Sequence, residues 1–496
     1  MWLVRGLPVA HRVLLGIGLL VLALFFRPAE PVGASVQQTE LHASWTTFGY
    51  DDARTGRNPL ESPLGSATAG ALHAVWRTPL DGATITQPLV AAGVSGPGRA
   101  LIFVGTERGD LVAVDAGTGT VAWRARLGSV ATPCQDLPGG VFGISGTPVL
   151  DPATDRLYVA DSSSTGVGVY ALDAATGRVA PGWPVTVSRD PTHVHVWGAL
   201  TLSSGVLYVT TAGMCDIPPY YGRVMAVDTS TATIAGAWSV VHDDGDVVGG
   251  GGIWGYGGAS IDPETGDVLV ATGNALFPES EGQPDAERLV RLSPSLRPVA
   301  SDFPGAIPGI DVDFGATPVP YRAPGCPEQV AVMNKTGQLF VYGLDSIGDG
   351  PVQRLQVASN ESAHGLGLFI GLPAWDPGTG TLYVVDPGPD SARFHHGLVA
   401  LQVGPDCLLH SAWQRAVGPS GTTTESSPTV ANGVVYFGDG LGGRVFAFDA
   451  GDGRELWDSG SIVGGPVFAA PTVVAGRMYV AAWNAGTGGS LIAFEP

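Results

Sequence analysis

One short unit recurs along this chain and dictates what the chain can fold into. It reads as a brief P-[LTV]-V run, a run ending in YV, a run of the form VYALD, a tight turn, and a run bearing Trp. Four copies are plain: LVAVDAGTGTVAW at 111–123, VYALDAATGRVAPGW at 169–183, VMAVDTSTATIAGAW at 224–238 and VFAFDAGDGRELW at 445–457. Asp and Trp lie 8, 10, 10 and 8 positions apart in these copies. Alternation of apolar and polar residues marks strands, not helices. Each Asp opens a turn, and a later Gly supplies the positive φ of a bulged hairpin.

Laid end to end, the units fall at about 84–128, 145–187, 197–241, 255–304, 315–358, 370–418, 425–462 and 468–496. The last copy stops after LIAFEP and lacks its Trp-bearing fourth strand. An isolated strand, HAVWRT at 73–78, supplies the missing piece. The expectation is an all-β, eight-bladed β-propeller with four-stranded blades, the last blade closed by the N-terminal strand. Closure removes an open sheet edge that would otherwise invite aggregation. Trp76, Trp123, Trp183, Trp238, Trp413 and Trp457 are then anchors between blades.

Composition agrees with a turn-dense β fold. The 496 residues include 73 Gly and 39 Pro, with 44 % hydrophobic and only 14 % charged residues, which argues against disorder. A net charge of −20 argues against nucleic acid as a partner and suits an exported protein or a bound cation. Arg5 and Arg12 precede an apolar run at 13–26, too short to span a bilayer, and Val32-Gly33-Ala34 offers small residues for cleavage. Residues 1–34 therefore read as a signal peptide, with an uncleaved anchor as the alternative. The mature chain has no membrane span and is expected in the periplasm or outside the cell. Residues 35–83 form an N-terminal segment that includes the strand at 73–78, and 84–496 form the propeller.

Four Cys in an exported chain imply two disulfides, with three possible pairings. Blade geometry chooses among them. If strands A to D run from the axis outward, the D–A and B–C loops emerge on one face and the A–B and C–D loops on the other. Cys134 and Cys215 fall on the first face, Cys326 and Cys407 on the second. The expected bonds are Cys134–Cys215 and Cys326–Cys407. No CxxCH occurs, so no haem is expected to be attached.

The stretch GGGGIWGYGGASIDPETGDVLVATGN at 249–274 carries the most specific signal. Local sequence alone allows a bland reading, a loop packing its own Trp. A glycine run also lets the backbone approach another surface closely. With the repeat and the eightfold count, the chain resembles the quinoprotein alcohol dehydrogenase superfamily over nearly all of its mature length. Members bind pyrroloquinoline quinone (PQQ) at the centre of an eight-bladed propeller, although related assembly propellers bind no cofactor. In the dehydrogenases a GGG-x-x-W segment ends in the Trp on which the quinone stacks, which here is Trp254. A following GTGN ends in a calcium-binding Asn, here Asn274. A W-D-Y-like segment holds the catalytic base, and Ile310-Asp311-Val312-Asp313-Phe314 puts Asp313 there. An [RK]-N-G-x-x-Y segment touches the quinone oxygens, and Asn334-Lys335-Thr336-Gly337 puts Lys335 there, the only lysine in the sequence.

Those types suit the chemistry. A planar cofactor needs a flat apolar platform. Calcium takes oxygen ligands, an amide oxygen among them, and acts as a Lewis acid on the quinone. A carboxylate accepts the alcohol proton, and an ammonium stabilises developing oxyanion charge. All four residues fall in D–A or B–C loops of blades 4 and 5, on one face. The chain also departs from the resemblance. The vicinal Cys pair is missing, and Gly252 stands where the family has Thr. The calcium-binding Glu expected near Met214–Asp216 is absent, leaving Asp216 as a substitute ligand. Phe369 in GLGLF replaces a Trp.

Other residues receive bland readings. His193 and His195 read as loop or core hydrogen-bonders, and His395-His396 as an improbable metal pair. The run His242–Asp246 reads as a solvated loop, and the triplets at 334 and 360 match glycosylation sites as short motifs do by chance. Two function classes remain. One is a PQQ- and calcium-dependent oxidoreductase of small or polymeric alcohols that passes electrons to a separate acceptor. The other is a non-enzymatic propeller, with a degenerate cofactor site, that binds a protein or glycan.

Overall fold

The structure, a computed structural model, describes residues 44–94, 96, 98–134, 138–241, 249–276, 285–305, 312–359, 371–418, 426–484 and 488–496. The leading apolar run, Asp311, the run 242–246, the triplet at 360 and the segment 365–369 lie outside them.

Eight blades of four antiparallel strands follow one another along the chain and form an all-β propeller, with the short strands Val194–His195 and, in parallel, Arg57–Asn58 added to the third and seventh. Blade 1 shows the pattern, with strands Leu89–Ala92, Ala100–Gly105, Asp110–Asp115 and Val121–Arg126. Its second and third strands are almost wholly buried, whereas the fourth is largely exposed. This outward gradient explains the sequence pattern: continuous apolar runs inside, alternation only at the rim. In the last sheet, His73–Leu80 pairs antiparallel with Gly489–Glu495 as the outer strand, from His73↔Glu495 to Leu80↔Gly489.

The rim tryptophans lean on the following blade. Trp123 donates Nε1–H to Ala174 O at 3.0 Å, Trp76 to Ala116 O at 3.2 Å and Trp457 to Leu72 O at 2.8 Å. A Cβ added at Gly119 would sit 2.7 Å from Trp76, and one at Gly177 2.5 Å from Trp123. The turn glycine thus serves twice: it adopts positive φ, and it leaves a flat seat for the neighbouring indole. Both expected disulfides are present, Cys134–Cys215 and Cys326–Cys407, each closing 81 positions of sequence.

The N-terminal segment does more than deliver a strand. Its main chain hydrogen-bonds to the innermost strands of five blades, and the Asn58 side chain reaches a sixth. Trp45 exchanges bonds with Val90 at 2.7 and 2.8 Å, Thr46 O accepts from Leu150, and Asp52 O from Ile261. Thr55 O accepts from Trp375, and Gly56 O from Val430. Asn58 Nδ2 donates to Val473 O at 2.9 Å. Arg54 is fully buried and donates to Phe48 O, Ala259 O, Leu200 O and the hydroxyls of Thr47 and Thr201. Blade 2 lies across the eight-bladed ring from blade 6, so the segment, bonded to both, crosses the axis. It does so near the A–B loops, opposite the face that carries the candidate site.

Candidate functional site

Two loops of blade 4 are zipped together by main-chain bonds. Gly251 N donates to Asn274 O at 2.7 Å, Gly273 N to Gly252 O at 2.7 Å, and Leu276 N to Gly249 O at 2.8 Å. Gly249, Gly250 and Gly251 all have positive φ, at 106°, 109° and 67°. A Cβ at Gly249 would lie 1.8 Å from Tyr220 O. Only glycine can make this turn and this approach, and the result fixes Trp254 beside Asn274. At Gly273 a Cβ would meet Asp313 Oδ2 at 2.6 Å and Trp254 Nε1 at 2.7 Å, so the carboxylate and the indole edge both touch this bare backbone.

Blade 5 supplies the other two side chains. Asn334 Oδ1 accepts from Thr336 Oγ1 at 2.7 Å and from the N–H groups of Thr336 and Gln338 at 3.2 Å. This side-chain turn presents Lys335 at the tip of the B–C loop. Lys335 N donates to Asp313 O at 2.9 Å, and Lys335 Nζ lies 2.6 Å from Asp313 Oδ1. The two side chains are 6 % and 0 % exposed, a buried ion pair. Asp313 Oδ2 accepts the N–H of Asn274 at 3.0 Å. Lys335 Nζ also stands 5.8 Å from the Trp254 ring centroid. Trp254, Asn274, Asp313 and Lys335 are therefore brought into one contact cluster on the D–A and B–C face.

Two buried polar atoms there have no hydrogen-bond partner: Trp254 Nε1 and Asn274 Oδ1. A buried amide oxygen without a donor, next to a carboxylate, suits a hard cation, so these residues fit a calcium-assisted planar cofactor. Among the described residues no group of three or more His, Cys, Asp or Glu is placed to hold a metal ion.

Asp216 is positioned differently. It sits at positive φ in the blade 3 loop, where it accepts the hydroxyl of Tyr220. Tyr220 in turn sets its ring edge against Trp254, with centroids 6.0 Å apart. Trp254, Tyr220 and Trp197 belong to one buried cluster with Cys134 and, at its edge, Cys215. The disulfide therefore ties the blade 3 loop to the wall behind the Trp254 platform. His193 pairs with Asp190 at 2.7 Å near the surface. His395 is half-exposed while His396 is buried 3.8 Å from Asp439, so the adjacent histidines diverge.

A buried polar chain beside this cluster escapes sequence reasoning. Ser145 Oγ lies 2.9 Å from both oxygens of Glu107 and 2.6 Å from His195 Nε2. Ser162 Oγ lies 2.7 Å from His195 Nδ1. Glu107 and His195 are 2 % and 1 % exposed. Burial pushes Glu107 up to about 8, against the pull of Ser145 and the Gly143 N–H. Burial, reinforced by the charge of Glu107, pushes Asp161 up to about 9. Burial lowers His195 to about 3, so its ring stays neutral. Sequence reading reached only His195, as a core hydrogen-bonder; for Glu107 the one signal is position, since it follows strand B of blade 1 as Lys335 follows that of blade 5.

Comparison with known proteins agrees with the propeller fold. The family described as outer membrane protein assembly factor BamB (PQQ_2) matches residues 67–247 and 410–496, more than half of the chain. A polyvinylalcohol dehydrogenase of Pseudomonas sp. is 24 % identical over 452 residues, covering 78 % of this chain and 66 % of its own length. One from Sphingopyxis sp. (strain 113P3) is 25 % identical over 514 residues, covering 90 % of this chain and 69 % of its own. The chain thus spans about two thirds of the length of these curated relatives. Among solved structures, the quinohemoprotein alcohol dehydrogenase of Comamonas testosteroni superposes with a TM-score of 0.65 at 17 % identity, covering 94 % of this chain and 82 % of that one. That likeness is one of fold.

Proposed function

The chain belongs to the PQQ_2 family of outer membrane protein assembly factor BamB, and on that premise we propose that it is an exported, quinoprotein-like dehydrogenase of alcohols. The observation that carries this reading is the buried contact of Trp254, Asn274, Asp313 and Lys335, with Asn274 Oδ1 left without a partner. The relatives named polyvinylalcohol dehydrogenase supply the substrate class. Two disulfides suit an oxidising, extracytoplasmic compartment, and no helix of the described residues is long and apolar enough to cross a membrane.

Trp254 offers the platform for PQQ, while Asn274 and Asp313 offer oxygens to calcium. Asp216, engaged by Tyr220 through one oxygen, would offer its other oxygen to the cation. When bound, the quinone supplies a two-electron acceptor and the cation polarises it. Asp313 takes the hydroxyl proton of the alcohol. Its carboxylate is held from two sides, by Lys335 and by the Asn274 N–H, so its oxygens are oriented before substrate arrives. Lys335 keeps a positive charge beside the indole, where charge gathering on a stacked ligand is stabilised. In this reading the electrons leave the site for a separate acceptor.

One observation favours a second reading. The Asp313–Lys335 pair is already neutralised internally and closed to solvent, as in a folded remnant on a propeller that binds a protein or glycan. The two readings separate in one assay. Purified protein incubated with PQQ and calcium should reduce a dye when given a secondary alcohol. Asp313→Asn should abolish turnover while leaving the fold intact. Turnover absent from the wild type, or undiminished in Asp313→Asn, rejects the dehydrogenase.

A further inference from the structure

Between blades 2 and 3, on the same face as Trp254, lies a cavity of about 230 Å³ that the proposed chemistry does not use. One wall is the end of the outer strand of blade 2, Val185–Ser188, with Asp190 and Val194 beyond it. The other is the Tyr220–Tyr221 loop and Arg223 of blade 3. Tyr220 joins the cavity to the candidate site, since the same ring that lines it packs against Trp254. Arg223 stacks its guanidinium 5.9 Å from the Tyr221 ring centroid, and its Nε is buried without a hydrogen-bond partner.

Three properties define what this cavity takes. Its walls mix apolar surface, from Val194 and the tyrosine rings, with isolated hydrogen-bonding groups, from Ser188 and Arg223. Its charge is balanced, because Arg223 faces a cavity that Asp190 also lines, which disfavours an anion. Trp254 does not line it, so a molecule reaching both places must be a chain. Resting on the dehydrogenase reading for the identity of the reacting end, we propose that this cavity is a subsite for the unreacted part of a neutral polyol chain, one with hydroxyls spaced along an aliphatic backbone. The methylene backbone lies on Tyr221 and Val194, and a chain hydroxyl accepts from the Arg223 guanidinium, which lines the cavity. Such remote binding holds one carbinol of a long substrate near Asp313.

The test is binding, so it does not depend on turnover. Short oligomers of vinyl alcohol are titrated into the full chain by calorimetry, beside single secondary alcohols and oligomers partly oxidised to carboxylates. The oligomers should bind, and single alcohols should bind far more weakly. Arg223→Met should weaken oligomer binding about tenfold, as loss of one charge-assisted hydrogen bond does. Ser188→Leu, which fills the cavity without touching the guanidinium, should weaken it comparably, and unchanged thermal unfolding shows that both variants are folded. Equal oligomer affinity in the wild type and both variants, no oligomer binding at all, or preferential binding of the carboxylated oligomers overturns the subsite. Cavity-dependent oligomer binding by a protein that oxidises no alcohol upholds the subsite and rejects the dehydrogenase.

Discussion

Replacing Lys335 by Met should unsettle this protein far more than a lysine substitution usually does. The ammonium lies 2.6 Å from Asp313 Oδ1, and neither side chain reaches solvent appreciably. Removing one member of such a pair leaves an uncompensated buried charge, at a cost of about 3–5 kcal/mol. Asp313 keeps one charge-assisted bond, from the Asn274 N–H to its other oxygen, so the lower end, about 3 kcal/mol, is expected. Asp313→Asn alone strands the ammonium and should cost a similar amount. The double variant has no buried charge left and should cost about 3–4 kcal/mol, little more than either single, giving a coupling energy of roughly 2–3 kcal/mol. Urea unfolding of the four proteins, followed by tryptophan fluorescence and far-ultraviolet circular dichroism, measures the cycle. Additive losses, or a Lys335→Met protein within about 0.5 kcal/mol of the wild type, would show that the pair is not the closed contact described.

Further outcomes follow from the same contacts. Between pH about 4.5 and about 8 the unfolded chain ionises Glu107 while the folded chain keeps it protonated, so stability falls as pH rises through that window. Glu107→Gln removes its own share of this slope and leaves that of Asp161. It should raise stability at pH 7 by roughly 2–3 kcal/mol and change little at pH 4, and an equal shift at both pH values would refute the buried-acid account. Gly273→Ala forces a methyl against the Asp313 carboxylate and the Trp254 edge. It should cost about 1–3 kcal/mol and shift tryptophan emission, whereas a neutral substitution would contradict the close approach.

The sequence revealed strands, blade count and disulfide pairing for a definite reason. Each strand carries its own apolar pattern, and each loop's face follows from its order within a blade, so Cys134 could be matched with Cys215 without distances. The four clustered residues were legible through a motif resemblance. What the motif could not show was that Lys335 reaches Asp313 directly, or that Asp216 is engaged by Tyr220. The axial crossing of residues 45–58 left no local signal. Its bonds are main-chain bonds to blades up to hundreds of residues away, and Arg54 earns its burial from carbonyls of blades 3 and 4. The Glu107–Ser145–His195–Ser162 chain was hidden for a similar reason. Its members lie 38, 50 and 33 positions apart, and each alone resembles an ordinary loop residue.

The most direct measurement is cofactor binding by the purified protein. PQQ is titrated with and without calcium while tryptophan emission and quinone absorption are followed. Saturable binding near one equivalent is predicted, strengthened by calcium, reversed by a chelator and lost in Trp254→Ala and Asn274→Ala. Binding that ignores calcium and survives both substitutions, or no binding at all, would contradict the claim that these loops of blades 4 and 5 form a quinone site.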